Sequence, residues 1–384
     1  VTPGARVQAA SEVLDRIGEG MPAEKALTGW ARGARYAGSG DRASVRDHVF
    51  QALRCWRSYA ALGGAETGRA RMIGALRAVG ADLDEIFTGV GHAPPELSAE
   101  EAAGGAPPAG FAAWDVPDWI GALAQADLGA QAEAYAMALR ERAPVMLRVN
   151  TGLCSGEEAI AFLAAQNISC APHPIAGTAL SVTEGARKIA QSHAYEQGWV
   201  ELQDGASQAA METLPIAPGA RVLDYCAGGG GKSLALAARG AQMAAWDIAP
   251  VRMRDLPARA ARAGVQITRL EAPDQGAPYG MVLCDAPCSG SGTWRRAPEA
   301  KWRLTPDRLE ALTQMQDDVL RAAALLVAPG GRLVYATCSV FACENMQRTQ
   351  AFMAASPGWR LERHLAWEVS GGGDGFFVAH LLRE

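Results

Sequence analysis

The carboxyl-terminal half of this 384-residue sequence predicts an α/β domain built on a parallel sheet, preceded by a small mixed α/β domain and an amino-terminal all-α domain. Three observations carry the prediction. After Gly198, strand-length apolar runs alternate with helix-like stretches; between Pro144 and Leu180 one helix pattern is flanked by short strand patterns; before Gly91 no strand pattern occurs.

In chain order, VQAASEVLDRI (Val7–Ile17) and RASVRDHVFQALRCWRSYAA (Arg42–Ala61) space apolar residues three and four apart, which predicts amphipathic helices. The stretch 91–110, rich in Ala, Gly, Pro and Glu, reads as a linker or loose connection, and Trp114–Leu139 adds further helices. A helical domain over 1–140 follows. VMLRVN is then a strand, EEAIAFLAAQ a helix and HPIAGTALSV a turn leading into a strand, giving a small α/β subdomain over 141–197. In 198–384, RVLDY, QMAAWDI, VQITRL, YGMVLCDA and GRLVYATCS read as strands, while KSLALAARG and TPDRLEALTQMQDDVLRAAALLV read as helices. A parallel sheet gathers its loops at the carboxyl ends of the strands, where ligands bind.

Composition narrows the function classes. With 49% hydrophobic and 20% charged residues, the chain can bury real cores. No run approaches the roughly 18 apolar residues of a membrane span, and no signal-peptide pattern is seen, so the expectation is a cytoplasmic protein, taken as a monomer. The eight cysteines are scattered singly, without CxxC or a Cys/His cluster, which speaks against a disulfide framework or a metal site. Any special cysteine here acts as a thiol. The net charge of −5 hides an asymmetry: 12 Lys/Arg stand against 7 Asp/Glu before residue 80, but 2 against 11 from Ala81 to Val145. The basic segment suits a phosphate backbone or, equally, a solvated helical face.

The stretch LDYCAGGGGKSLAL (Leu223–Leu236) looks like a nucleotide loop but fails both patterns. A Walker loop needs glycine where Cys226 stands, and the dinucleotide fingerprint needs it at Ser233 or Leu234. Four glycines between a strand and a helix are costly in chain entropy unless backbone must approach a ligand. The remaining reading is the S-adenosylmethionine loop of a class I, Rossmann-like methyltransferase. Asp224 is then the acid at the strand end, and Asp247, ending the next strand, suits the two ribose hydroxyls.

Two cysteines complete the pattern. Asp285-Ala-Pro-Cys288 follows one strand, and Cys338 ends another. Carbon 5 of a pyrimidine is a poor nucleophile, but a thiolate adding to carbon 6 turns the ring into an enamine that accepts a methyl group from a sulfonium. A base must then remove the carbon-5 proton so that the thiol can leave. Cys55, Cys154, Cys170, Cys284 and Cys343 read as small buried hydrophobes. Cys288 and Cys338 sit among Pro, Ser, Thr and Gly, where the chain turns at the ligand edge.

From about Pro144 onward the sequence resembles the RsmB/Sun/NOP family of RNA cytosine carbon-5 methyltransferases. The resemblance rests on LRVN (Leu147–Asn150), LQDGASQ (Leu202–Gln208), DYCAGGGGK, DAPCSGSGTWRRAPEAKWR, the Gln314–Gln316 helix, PGGRLVYATCSVFACEN and DGFFVAHL (Asp374–Leu381). DAPCSGSG paired with a later ATCS is the most specific part. GSGDRASVRDHVFQALR is similar to the NusB-like RNA-binding domain of the RsmB branch. The resemblance implies that Cys338 is the covalent nucleophile, that Cys288 assists product release, and that Asp285 lies by the donor methyl and the cytosine's ring nitrogen 3 or amino group. It further implies that Cys226, Ala227, Gly228, Gly229, Gly230, Gly231, Lys232 and Asp247 bind S-adenosylmethionine with support from Arg252. Glu271 or Asp274 would reach the adenine.

One departure stands out: CAGGGGK replaces the family's CAAPGGK, trading a proline for a glycine. The implied substrate is RNA, small-subunit ribosomal RNA before transfer RNA, its target base splayed out of the helix. Arg295, Arg296, Lys301 and Arg303 are candidate RNA contacts, and Trp294 and Trp302 are stacking surfaces or core. Rival readings are an inactive RNA-binding assembly factor on the same fold, and nucleotide hydrolysis at the glycine loop.

Overall fold

A computed structural model describes residues 1–384, which fold as two units: Val1–Arg142 with Trp294–Arg303, and Ala143–Thr293 with Leu304–Glu384. In the first unit, Val7, Ala10, Val13 and Leu14 line one face of helix Pro3–Gly18. They pack with Val45, Val49, Ala52 and Leu53 of helix Ser39–Arg54 and with Met72 and Ile73 of helix Gly68–Ala78. The helix expected over Arg42–Ala61 is broken at Cys55 (φ −116°, ψ 39°) and resumes as Trp56–Gly63. The new amino terminus is capped from a distance: the buried Asp115 carboxylate accepts the amides of Arg57 (3.0 Å) and Ser58 (2.8 Å) and the Ser58 hydroxyl (2.7 Å). Further helices span Asp118–Leu128 and Ala132–Leu139.

The stretch 91–110 is fastened. It carries the short helix Ala99–Ala103, whose Ser98 and Glu101 form a capping box, and Arg69 pairs with Glu101 at 2.7 Å. Arg77 donates to the carbonyls of Leu62 and Gly104, both at 2.7 Å. Residues 294–303 also belong to this unit. Trp294 is buried, Lys301 in helix Glu299–Arg303 donates to the Arg54 carbonyl at 3.0 Å, and the Trp302 indole donates to Leu53 at 2.7 Å. Glu299 accepts the Ala23 amide at 3.1 Å, capping helix Ala23–Gly33, whose own cap residue is Pro22.

The second unit holds two sheets. Strands β1 (Val145–Val149), β2 (Ser169–Pro172), β3 (Ala179–Glu184) and β4 (Val200–Leu202) pair antiparallel in the order β2-β3-β1-β4. Helix Gly156–Ala164 covers this sheet, with Ala159 and Leu163 meeting Leu147, Val149 and Leu180. The larger sheet comprises β5 (Arg221–Asp224), β6 (Gln242–Ala245), β7 (Ile267–Arg269), β8 (Tyr279–Asp285), β9 (Val327–Thr337), β10 (Trp359–Trp367) and β11 (Phe376–Arg383), in the order β10-β11-β9-β8-β5-β6-β7. Strands β5 to β9 pair in parallel and β11 runs antiparallel to both neighbours. Val222, Leu223, Val282, Leu283, Val334 and Tyr335 are fully buried because both faces are covered, which explains their unbroken apolar runs. From β5 the chain passes to β6 on one side, while β8 lies on the other. That reversal opens a crevice at the carboxyl ends of β5 and β8. No helix is long and apolar enough to cross a membrane.

Candidate active site

The glycine loop leaves β5 and enters helix Gly231–Ala237. Gly228 (φ +49°) and Gly230 (φ +78°) adopt the left-handed region, and a Cβ on Gly230 would stand 2.2 Å from a Leu256 methyl. Asp247, just past β6, holds the loop: its buried carboxylate accepts the amides of Gly228 and Ala249, each at 2.9 Å, and pairs with Arg252 at 3.1 Å. Asp224 is 1% exposed; one oxygen accepts the Ser233 hydroxyl at 2.6 Å and the other, Oδ1, is buried with no partner. Burial pushes its pKa up to about 6 against the opposing Ser233 hydrogen bond, with the Asp285 charge adding to the rise.

Lys232, in the first turn of that helix, reaches across to Asp285 at the end of β8, Nζ to Oδ2 2.6 Å. Burial lowers the lysine's pKa, but the Asp285 charge and hydrogen bond outweigh it and leave the ammonium above its ordinary value. Beyond Asp285, the Cys288 sulfur lies 3.4 Å from the Cys338 sulfur at the end of β9. The Cys338 thiol is more acidic than an ordinary cysteine, chiefly through the hydrogen bond with Cys288; burial opposes this, and Lys232 adds to it. The same bond and burial push Cys288 well up. Within the pair, Cys338 is therefore the sulfur that ionises first.

The loops bearing the two cysteines are joined by a residue that sequence reasoning missed. The Glu344 carboxylate, 0% exposed, accepts the Ser289 amide (2.8 Å), the hydroxyls of Ser289 and Ser339, and the Gln316 side-chain amide (3.1 Å). Ser289 and Ser339 each follow one of the cysteines. Asn345 accepts from Thr337 at 2.5 Å and donates to the Ser339 carbonyl at 2.9 Å. The Glu-Asn pair of SVFACEN was the available signal, since acids and amides so close to an apolar strand must be satisfied internally. Arg259 was also missed: it donates to the Gly229 carbonyl and pairs with Glu201 of β4 at 3.1 Å, and Arg262 pairs with the same carboxylate at 2.8 Å. No local pattern announces an ion pair between residues 61 apart.

The structure thus brings Gly228–Lys232, Asp247, Arg252, Asp285, Cys288 and Cys338 to one end of the sheet. Cys226 and Ala227 lie in the same loop, and burial raises the Cys226 thiol. Glu271, two residues beyond β7, and Asp274 are both exposed, and the Glu271 backbone amide donates to the Gln275 side-chain oxygen at 3.0 Å. Two expected RNA contacts are corrected. Arg295 and Lys301 are buried in the helical unit, where Lys301 is 0% exposed, because 294–303 packs there as core; Trp294 is core as well. Arg296 and Arg303 are exposed, the latter paired with Glu299 at 2.7 Å. No group of three or more His, Cys, Asp and Glu is placed to hold a metal ion.

Comparison with known proteins agrees with this geometry. The family described as 16S rRNA methyltransferase RsmB/F matches residues 211–382, and the ferredoxin-like domain of RsmF/B-like methyltransferases matches 116–187. Ribosomal RNA small subunit methyltransferase B of Cronobacter sakazakii is 31% identical over 290 residues, covering 71% of this chain and 67% of that protein. The chain belongs to the RsmB/F methyltransferase family. The enzyme of the same name from Xanthomonas campestris is 33% identical over 296 residues, covering 70% of this chain and 66% of the relative, so the match spans about two thirds of these relatives' length. Among solved structures, PH0851 aligns with a TM-score of 0.77 at 23% identity over 99% of each chain. NSun6 from Pyrococcus horikoshii with SFG aligns at 0.63 and 18% identity, over 70% of this chain and 98% of that one. These two show the fold: a Rossmann-like methyltransferase sheet, as expected of the RsmB/F family. The ferredoxin-like match begins in the helices before β1 and stops short of β4, whereas the order β2-β3-β1-β4 extends to Leu202.

Proposed function

We propose that the protein transfers a methyl group from S-adenosylmethionine to carbon 5 of a cytosine in small-subunit ribosomal RNA, through a covalent bond between Cys338 and carbon 6. The observation that carries this is the 3.4 Å approach of two thiols at the carboxyl ends of adjacent parallel strands, beside the Lys232–Asp285 pair. Cys338, the more acidic thiol, is the nucleophile. Cys288 keeps its proton while Cys338 is a neighbouring thiolate; once Cys338 is bonded to carbon 6 that hold ends, Cys288 gives its proton to solvent, and its thiolate then takes the carbon-5 proton as the Cys338–carbon 6 bond breaks and Cys338 leaves as thiolate. Asp285 accepts from the cytosine amino group or stabilises a protonated ring nitrogen 3.

S-adenosylmethionine supplies an electrophilic methyl group on a sulfonium. Cys226, Ala227, Gly228, Gly229, Gly230, Gly231, Lys232, Asp247, Arg252, Glu271 and Asp285 would hold it. The loop fits such a cationic ligand: its left-handed glycines leave backbone uncovered, and the partnerless Asp224 oxygen is a buried acceptor beneath it. Asp247 keeps lone pairs for hydroxyls once Arg252, whose side chain is half exposed, swings aside.

In this reading residues 1–140 are a NusB-like RNA-binding domain, 141–197 a second RNA-binding part and 198–384 the catalytic domain, and the enzyme works as a cytoplasmic monomer. The test is methyl incorporation into a small-subunit ribosomal RNA transcript, with bisulfite sequencing to locate the product. Loss of transfer in Cys338→Ala is expected; full activity refutes the assignment. Calorimetric binding of ATP but not of S-adenosylmethionine would also overturn it.

A further inference from the structure

The first unit carries a cleft of about 320 Å³ lined by Arg46, Asp47, Phe50, Gln51, Arg54, Arg142 and Arg296. Four arginines thus face one lining carboxylate. They come from three separated parts of the chain: helix Ser39–Arg54, the end of the helical segment at Arg142, and the Trp294–Arg303 insertion. Arg46 and Arg142 each have an acidic neighbour. Arg46 meets Glu24 at 2.6 Å, but both side chains are about half exposed or more, and Arg142 approaches Asp47 only to 3.4 Å. Arg54 is 7% exposed and anchored through its Nε to the Arg295 carbonyl at 2.9 Å. Burial, and then the Arg142 charge, lower its pKa, with Cys55, Asp47 and Glu141 acting the other way, so the buried guanidinium has a like charge beside it at Arg142. The Arg46 guanidinium lies over the Phe50 ring at 4.6 Å, forming a flat cation–aromatic platform.

We propose that this cleft is a binding site for the RNA sugar-phosphate backbone, the phosphate held by Arg54, Arg142 and Arg296 and an adjoining nucleotide seated against the Arg46–Phe50 platform. It rests on the reading of RNA as substrate. Guanidinium forks match phosphate oxygens in pairs, and a dianionic or bridging phosphate relieves the like-charge crowding that the cleft builds in. An acidic protein surface would also meet positive charge, but a half-buried ring beside the arginines favours a ligand that alternates phosphate with flat bases.

The test is binding of a labelled small-subunit ribosomal RNA transcript to the full chain at salt concentrations from about 50 to 200 mM. Arg142→Gln with Arg296→Gln is expected to weaken binding about tenfold or more, to make the log–log salt slope shallower by about one to two, and to leave S-adenosylmethionine affinity unchanged. Arg142→Lys with Arg296→Lys keeps the slope, since charge is retained. Asp47→Asn shifts the other way, tightening RNA binding, an outcome that damage to the fold does not produce. An unchanged affinity and slope in the double Gln variant overturns the proposal, as does displacement of the RNA by poly-glutamate at equal charge. Methyl transfer by Cys338→Ala, measured in parallel, fails or succeeds without moving these slopes, so the two readings fall separately.

Discussion

Replacing Glu344 should cost both stability and catalysis, by amounts that the structure sets. Its carboxylate takes four donors at 0% exposure, from the residues that follow Cys288 and Cys338 and from Gln316. Hydrogen bonds to a charged group contribute about 1.5–3 kcal/mol each, and each buried donor left unpaired costs about 1–3 kcal/mol, partly recovered as hydroxyls rotate. Glu344→Ala is therefore expected to destabilise by about 3–5 kcal/mol, which lowers the unfolding temperature by about 6–20 °C for a unit of this size. Glu344→Gln keeps the shape and should cost about 1–2 kcal/mol. It also separates two effects. Glu344 is a negative charge that raises both thiols, so its removal lowers the pKa of Cys338. The pH profile of alkylation by iodoacetamide should move to lower pH, while kcat for methyl transfer falls because the two loops are no longer held in register. A Glu344→Gln protein with a normal kcat and an unmoved alkylation profile would refute the reasoning, whatever its melting temperature.

Other outcomes follow from the same geometry. Cys288→Ala should trap RNA on Cys338 as an adduct that survives denaturing electrophoresis; free RNA after full methyl transfer would contradict its role in release. Lys232→Met removes a cation that favours the Cys338 thiolate, so the alkylation profile should shift to higher pH, checked with a Lys232→Arg control that restores it. Asp224 has a folded pKa near 6, above its ordinary 3.8, so its protonated form adds stability below about pH 4 that is lost as pH rises through 6. Asp224→Asn should accordingly flatten the pH dependence of unfolding in that window, by about 3 kcal/mol at most. Identical pH profiles for the two proteins would show that burial of this carboxyl is not costly.

What was legible in the sequence was what is local and periodic. The strands β5, β6, β8 and β9 showed as apolar runs because both of their faces are covered, and the glycine loop announced itself because only glycine adopts the left-handed turns at Gly228 and Gly230. The edge strand β10, WRLERHLAW, is half exposed and carries charges along its length, and β2 is four residues with a proline; neither offers the run or the alternation that marks a strand. The helix break at Cys55 was invisible for another reason: the carboxylate that stabilises it, Asp115, is 57 residues away. The largest surprise was 294–303. WRRAPEAKWR reads as a basic, aromatic RNA contact, yet Lys301 is tied to the Arg54 carbonyl and both it and Arg295 are buried in the helical unit, a fate that depends entirely on what they pack against.

The two cysteines are alike in chemistry and lie within 3.4 Å of each other, so their different tasks must come from what surrounds them. A thiol can act as nucleophile only as the thiolate, and two thiolates at that distance repel; one ionises and the other keeps its proton. Which one ionises is set chiefly by the hydrogen bond between them, which lowers Cys338 and raises Cys288. The Lys232 ammonium, tied to Asp285, adds a smaller pull on Cys338 that the Asp285 charge opposes, while Glu344 and burial raise both sulfurs. Cys288, for its part, lies in the loop that begins at Asp285, with a sulfur that holds a proton and can exchange it. Environments that separate two like groups in this way assign the acid and the nucleophile without reference to sequence order. Replacing the glycine-loop lysine with a neutral residue would then raise Cys338 toward Cys288 without reversing their order, and Cys338 should remain the faster target for alkylation.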